Sequence, residues 1–286
     1  SLDLAKQKIA EEEVTKGVTN NRKNYNAYNA ALISLDVKSG EILAYVGSAD
    51  FHATSSLPVG CNPGVSCKFD SKVDVVRKQR QPGSSFKPFV YLAGFMKGYT
   101  PETVLYDVVT SFRGPNEIKD YTPHNYDLKE RGPVTIRKAL QGSLNIPAVK
   151  MLYLIGIDSM LELAKQFGYS TFDDRSRFGL SLVLGGGEVT LADHTAAYAT
   201  LARNGVYLPI VSILKVSGSD GVALYENKPL PGKQVADSDA VATISNVLSD
   251  NASRANVFGA NSPLQLGGRP VAAKTGTTND YHDGWV

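Results

Sequence analysis

The sequence predicts an α+β fold in which an antiparallel sheet, formed by N- and C-terminal strands, packs against a mainly helical body. Three observations carry this expectation. Residues 31–47 alternate apolar and polar positions on either side of Lys38-Ser39-Gly40, the pattern of a β-hairpin. The middle of the chain repeats apolar residues at helical spacing, and residues 270–278 form a short extended run near the other end. Strand pair, helices, then strands is the element order of an α+β domain whose first and last segments share a sheet.

Taken in order, residues 4–18 read as a polar amphipathic helix ahead of the hairpin. A turn-rich segment reaches Pro82, and a helix begins near Ser84 and runs to 97, with Pro88 tolerated in its first turn. Further helices are predicted at 135–141, at 146–155 with Pro147 near its start, after Asp158, at 190–203 and at 237–248. Residues 207–216 alternate like a strand, and Ala272 and Ala273 leave room for close packing in the last extended run. No internal repeat or low-complexity tract interrupts the pattern, and residues 1–286 are read as one domain.

A chain of 286 residues with 42% hydrophobic content can bury a large core. Its formal charge is only +2, and no basic run is interleaved with aromatics, so nucleic acid is not an expected partner. No stretch of about 18 uncharged apolar residues occurs, so membrane contact is expected only through an anchor outside the chain. Cys61 and Cys67 bracket the turn-prone Asn62-Pro63-Gly64 and either close a disulfide or remain two thiols. His52, His124, His194 and His282 are scattered, so no metal site is expected. Gly185-Gly186-Gly187 lacks a following Gly-Lys-Ser/Thr and reads as a loop, so neither a nucleotide nor any other cofactor is expected.

Ser84-Ser85-Phe86-Lys87 puts a hydroxyl and an amine three residues apart at a helix start, on one face. Such a serine is a candidate nucleophile and the lysine its base, provided that burial and a second cation strip the ammonium of its proton near neutral pH. A second Ser-x-x-Lys, Ser212 to Lys215, falls in the alternating segment, where positions three apart point to opposite faces, and reads as structural. Ser143-Leu144-Asn145 occupies a turn between two predicted helices, and Lys274-Thr275-Gly276-Thr277 an extended segment whose glycine lets a substrate backbone lie close. In this order the three motifs match the set used by penicillin-binding proteins and class A β-lactamases. Ser249-Asp250-Asn251 is a literal copy of the middle motif, but it sits where a predicted helix ends and reads as a helix-terminating turn.

Arg80-Gln81-Pro82-Gly83-Ser84-Ser85-Phe86-Lys87-Pro88, Gly142-Ser143-Leu144-Asn145-Ile146-Pro147-Ala148-Val149 and Lys274-Thr275-Gly276-Thr277-Thr278 together resemble the transpeptidase domain of class A, bifunctional penicillin-binding proteins. Residues 31–47, 132–140 and 184–205 share the resemblance, which therefore covers nearly the whole chain. It implies a β-lactamase/transpeptidase-like fold and a serine D,D-transpeptidase that cross-links peptidoglycan stem peptides. Ser84 would be acylated, Lys87 would accept its proton, Ser143 and Asn145 would relay it and contact the peptide, and Lys274 would tune that group. Thr275, Gly276 and Thr277 would bind the substrate carboxylate. Partners would be a D-Ala-D-Ala donor, an amine acceptor and β-lactam antibiotics, on the extracytoplasmic face of a bacterial membrane. Alternatives with the same motifs are a D,D-carboxypeptidase, a β-lactamase and a non-catalytic β-lactam sensor. No Glu-x-x-Leu-Asn lies between Asn145 and Lys274 to deacylate as class A β-lactamases do. The chain reaches only Trp285-Val286 after the third motif, so it reads as an excerpt without the family's last strands, glycosyltransferase domain and anchor.

Overall fold

The computed structural model describes residues 2–54, 56–62, 65–113, 120–252, 254, 259, 264, 266–278 and 282–286. Along the chain, α1 (Leu4–Tyr25) precedes the strand pair β1 (Leu32–Leu35) and β2 (Ile42–Val46). Next come α2 (Lys87–Met96), β3 (Val104–Asp107), β4 (Gly132–Thr135), α3 (Ile136–Gln141), α4 (Asn145–Ile155), α5 (Ile157–Gln166) and α6 (Leu191–Ala202). The remainder holds β5 (Val206–Tyr207), β6 (Lys215–Ser217), β7 (Ala223–Glu226), β8 (Lys233–Gln234), α7 (Ser238–Ser249), β9 (Gly276–Thr277) and β10 (Gly284–Trp285). The mixed α+β class with a mainly helical middle is thus present. Among the described residues, no helix is long and apolar enough to cross a membrane.

The chain divides into two compact units, of which the first comprises Ser1–Arg80, Val189–Arg203 and Tyr207–Lys233. Its α1 begins at Asp3, whose carboxylate accepts the Ala5 and Lys6 N–H groups that a helix start leaves unpaired. Ala10 and Val14 of this helix meet Ala44 and Val46 of β2 in an apolar cluster. Gln7 binds the edge of β2 away from β1: Tyr45 N–H donates to Gln7 Oε1 at 2.7 Å, and Gln7 Nε2 donates to Tyr45 O at 3.0 Å. A side-chain amide therefore satisfies backbone groups that an open strand edge would leave unpaired. β1 and β2 run antiparallel with Leu32 opposite Val46, and the Asp36 carboxylate fixes their turn by accepting the Lys38 and Ser39 N–H groups.

The strand expected at 207–216 is interrupted. Pro209 has no N–H to donate to a ladder. After β5, which pairs with β8, Val211 makes an isolated parallel bridge to Glu41, and ladder pairing resumes where β6 meets β7. Cys61 and Cys67 are joined in a disulfide, while Pro63 and Gly64 of the turn between them lie outside the described residues.

The second unit comprises Gln81–Glu188, Asn204–Val206 and Gln234–Val286. All nine residues of α2 from Lys87 to Phe95 are buried, so this helix is a core element rather than an amphipathic surface one. A single 3-10 turn, Gly83–Phe86, leads into it, and Pro88 sits in the first turn, where no intrahelical N–H is lost. Phe86, Phe89, Phe167, Tyr169 and Phe172 pack together, with ring centroids of contacting pairs 5.3–5.8 Å apart. This aromatic cluster anchors the turn from below. β3 pairs with β4, and β9 with β10, both antiparallel. Among the described residues, β1 pairs with β2 and β9 with β10.

Backbone segments press directly on the turn ahead of α2. A Cβ on Gly276 would lie 2.1 Å from Pro82 O, and a Cβ on Gly185 would lie 2.1 Å from Gly83 N. Both neighbours are backbone atoms that cannot swing aside, so only glycine fits. Gly185 also has φ +85°, a conformation that costs any other residue about 1–2 kcal/mol. Gly185→Ala is expected to lower the unfolding free energy by about 2–4 kcal/mol, from this strain plus overpacking. Urea denaturation checks this, and a change below about 0.5 kcal/mol would mean the turn is not clamped.

Candidate active site

Ser84 is half-buried in the 3-10 turn, and Lys87 opens α2 three residues later. The Lys87 side chain is fully buried. Its Nζ donates to Ser143 O at 2.6 Å and to Asn145 Oδ1 at 2.7 Å, both neutral acceptors. Burial above all, with the Lys274 charge second, holds its pKa well below the ordinary lysine value. A neutral amine has two N–H bonds and one lone pair. With both N–H bonds on carbonyl oxygens, the lone pair is left to take a proton.

Ser143 lies between α3 and α4 with φ +51°, a left-handed conformation uncommon for a residue with a side chain. The twist lets one residue serve two amines. Its carbonyl accepts from Lys87, and its Oγ accepts from Lys274 Nζ at 2.9 Å. Lys274 is 7% exposed and also donates to Thr275 O at 2.8 Å. Burial pushes its pKa down to about 7. Asn145 is the first residue of α4; its Nδ2 donates to His124 O at 2.8 Å and its N–H to Asn125 Oδ1 at 2.8 Å. Thr275 is half-buried, Gly276 is buried against the turn, and Thr277 is exposed.

The three sequence motifs therefore converge in one unit, with Ser143 linking the two amines. Of the competing copies, Ser249 closes α7 and its hydroxyl donates to Asn246 O, while Ser212 lies in coil ahead of β6 rather than in the expected strand, and Lys215 is exposed. Asn125 escaped the sequence reading, because it lies in a loop without periodicity and belongs to no short motif. Among the described residues, no group of three or more His, Cys, Asp or Glu is arranged to hold a metal ion.

The fold is that of the penicillin-binding proteins. It matches penicillin-binding protein 1A from Haemophilus influenzae at a TM-score of 0.67 and 24% identity, over 88% of this chain and 40% of that one. It matches PonA1 from Mycobacterium tuberculosis at 0.75 and 24% identity, over 97% and 68%. The chain belongs to the penicillin binding protein transpeptidase domain family, whose model matches residues 30–284. Among whole-protein relatives, penicillin-binding protein 1A of Aquifex aeolicus is 35% identical over 261 residues, 89% of this chain and 32% of the relative. That of Neisseria meningitidis serogroup A is 32% identical over 294 residues, 98% and 34%. The chain thus spans about a third of the length of the curated relatives it matches.

Two measurements test this geometry. Ser143→Ala and Ser143→Gly both lose the hydroxyl, but only alanine carries the cost of left-handed backbone, so the glycine variant should be about 1 kcal/mol more stable in urea unfolding. Lys274 loses its proton in the folded protein at about 7 but keeps it in the unfolded chain up to the ordinary lysine value of 10.5. Across that window the unfolded state binds more protons, so stability rises with pH, by up to about 1.4 kcal/mol per pH unit for one such group. Lys274→Met should flatten that rise in denaturation curves at about pH 7, 8 and 9. A profile identical to the parent's would contradict the burial argument.

Proposed function

We propose that this chain is a serine D,D-transpeptidase domain that forms an acyl-enzyme on Ser84. The observation that carries this reading is the buried Lys87 amine, with its N–H bonds committed to neutral carbonyls, three residues from a half-buried serine. As Ser84 Oγ attacks the carbonyl carbon of the penultimate D-alanine of a stem peptide, its proton passes to Lys87. The C–N bond then breaks, and the departing D-alanine amine receives a proton from the Lys87, Ser143 and Lys274 set. An ester on Ser84 remains. The amine of a neighbouring stem peptide attacks that ester, an amide forms, and Ser84 Oγ regains its proton.

Asn145 keeps Lys87 aimed and contacts the peptide, while Lys274 with Ser143 carries the proton of the departing amine. Thr275 and Thr277, beside Gly276, bind the terminal carboxylate, and the Ser84 and Thr277 N–H groups hold the oxyanion. Losing one such donor typically costs about 10² to 10³ in rate. β-Lactams enter the same path and stop at the ester; a protein of this fold, PonA1, has been solved in complex with penicillin V. The domain would work on the outer face of a bacterial membrane, held there by segments outside this chain.

Incubation with a fluorescent penicillin, followed by denaturing gel and intact mass, tests the reading. The parent should hold a covalent label for hours and Ser84→Ala should hold none. Label on Ser84→Ala would place the nucleophile elsewhere, and rapid loss of label from the parent would indicate a hydrolase.

A further inference from the structure

Asn125 lies outside all three motifs, yet both polar ends of its side chain are engaged and it is only 4% exposed. Its Oδ1 accepts the Asn145 N–H at 2.8 Å and the Ile146 N–H at 3.4 Å. Its Nδ2 donates to both carboxylate oxygens of Asp107, at 2.7 and 2.9 Å, and to Lys129 O at 2.8 Å. Asp107, the last residue of β3, is fully buried. The amide has one workable orientation. Turned over, it would set its NH₂ against the donors of α4 and its oxygen against a carboxylate.

The first N–H groups of a helix need acceptors, and a side chain at the N-cap usually provides one. At α4 the N-cap is Leu144, which makes no side-chain cap hydrogen bond. Asn125 supplies the acceptor from a separate segment. Its neighbour His124 supplies the carbonyl for Asn145 Nδ2. Asn145 is thus held at its backbone and at its side-chain amine, and only Oδ1 faces Lys87.

We infer that Asn125, oriented by the buried Asp107 carboxylate, is a positioning residue that caps α4 from outside and keeps Asn145 Oδ1 against the Lys87 amine. Its catalytic consequence rests on the function proposed above, but its geometric content does not. The charged and titratable groups facing this pair are Arg131, 3.7 Å from Asp107, together with Lys150 and Tyr91; Lys274 faces Lys87.

The test uses Asn125→Ala, which removes both contacts, and Asn125→Asp, which keeps the acceptor. Two carboxyl groups sharing a site raise the proton affinity of one. Asn125→Asp therefore mimics asparagine while protonated and repels Asp107 once ionised. In protein carrying ¹³Cε-lysine, NMR should show the Lys87 titration midpoint falling in Asn125→Ala, since an acceptor that favours the ammonium is withdrawn. Labelling by fluorescent penicillin should slow about 10- to 100-fold, the scale of a small misplacement. For Asn125→Asp, the rate relative to the parent should fall as pH rises from about 5.5 to 8.5, which also decides the matter if the alanine variant does not fold. A Lys87 midpoint unchanged or raised in Asn125→Ala, or a flat rate ratio in Asn125→Asp, overturns the inference. A parent that takes no label, with the Lys87 midpoint still lowered by Asn125→Ala, overturns the proposed function and supports this one.

Discussion

The site depends on a buried amine whose hydrogen-bond partners among the described residues are neutral. Taking a lysine ammonium out of water costs several kcal/mol when no opposite charge compensates, and the group responds by giving up its proton. Lys87 is also the first residue of a helix, where the macrodipole is positive and further disfavours a cation. Lys274, the second buried amine, adds like-charge repulsion to the same effect. Neutrality in turn defines what can surround the nitrogen, namely two carbonyl acceptors and one direction for the lone pair. Ser143 and Asn145 fill the first requirement, and the turn holding Ser84 lies on the same helix start.

That arrangement is useful only if the hydroxyl and the amine stay fixed. Rigidity comes from two sources of different physical kind. Below the turn, interlocking rings from Phe86 to Phe172 resist displacement because a close-packed core has no spare volume. Beside the turn, Gly185 and Gly276 let backbone lie on backbone, a contact that transmits force without a rotatable side chain between. The left-handed Ser143 is the third fixed point, and its strain is offset by hydrogen bonds on both its carbonyl and its hydroxyl.

Much of this was legible in the sequence because it is local. The sequence pattern marks helix starts at Thr135, Thr190 and Asp237, one residue ahead of each helix, since each of these residues is the N-cap, whose side chain accepts an N–H from within the helix. The hairpin at 31–47 follows from alternation about an Asp36 turn, and the Ser84–Lys87 pairing from three-residue spacing. In the segment 207–216 the alternation suggests a strand, but Pro209 lacks the donor that a ladder needs.

By itself, then, the sequence determined most of the helices, the first hairpin, the α+β class, the family and the three motifs that meet in one unit. Those properties depend on periodicity, capping and motif order, which are carried by neighbouring residues. Only the tertiary structure decided that Cys61 and Cys67 pair, that Ser143 turns its carbonyl to one lysine and its hydroxyl to another, and that Asn125 caps a helix it does not belong to. These contacts join residues distant in the chain through burial and hydrogen bonds. A satisfied asparagine in a loop carries no local pattern, because what fixes its role is the acceptor missing at Leu144 and the buried carboxylate of Asp107.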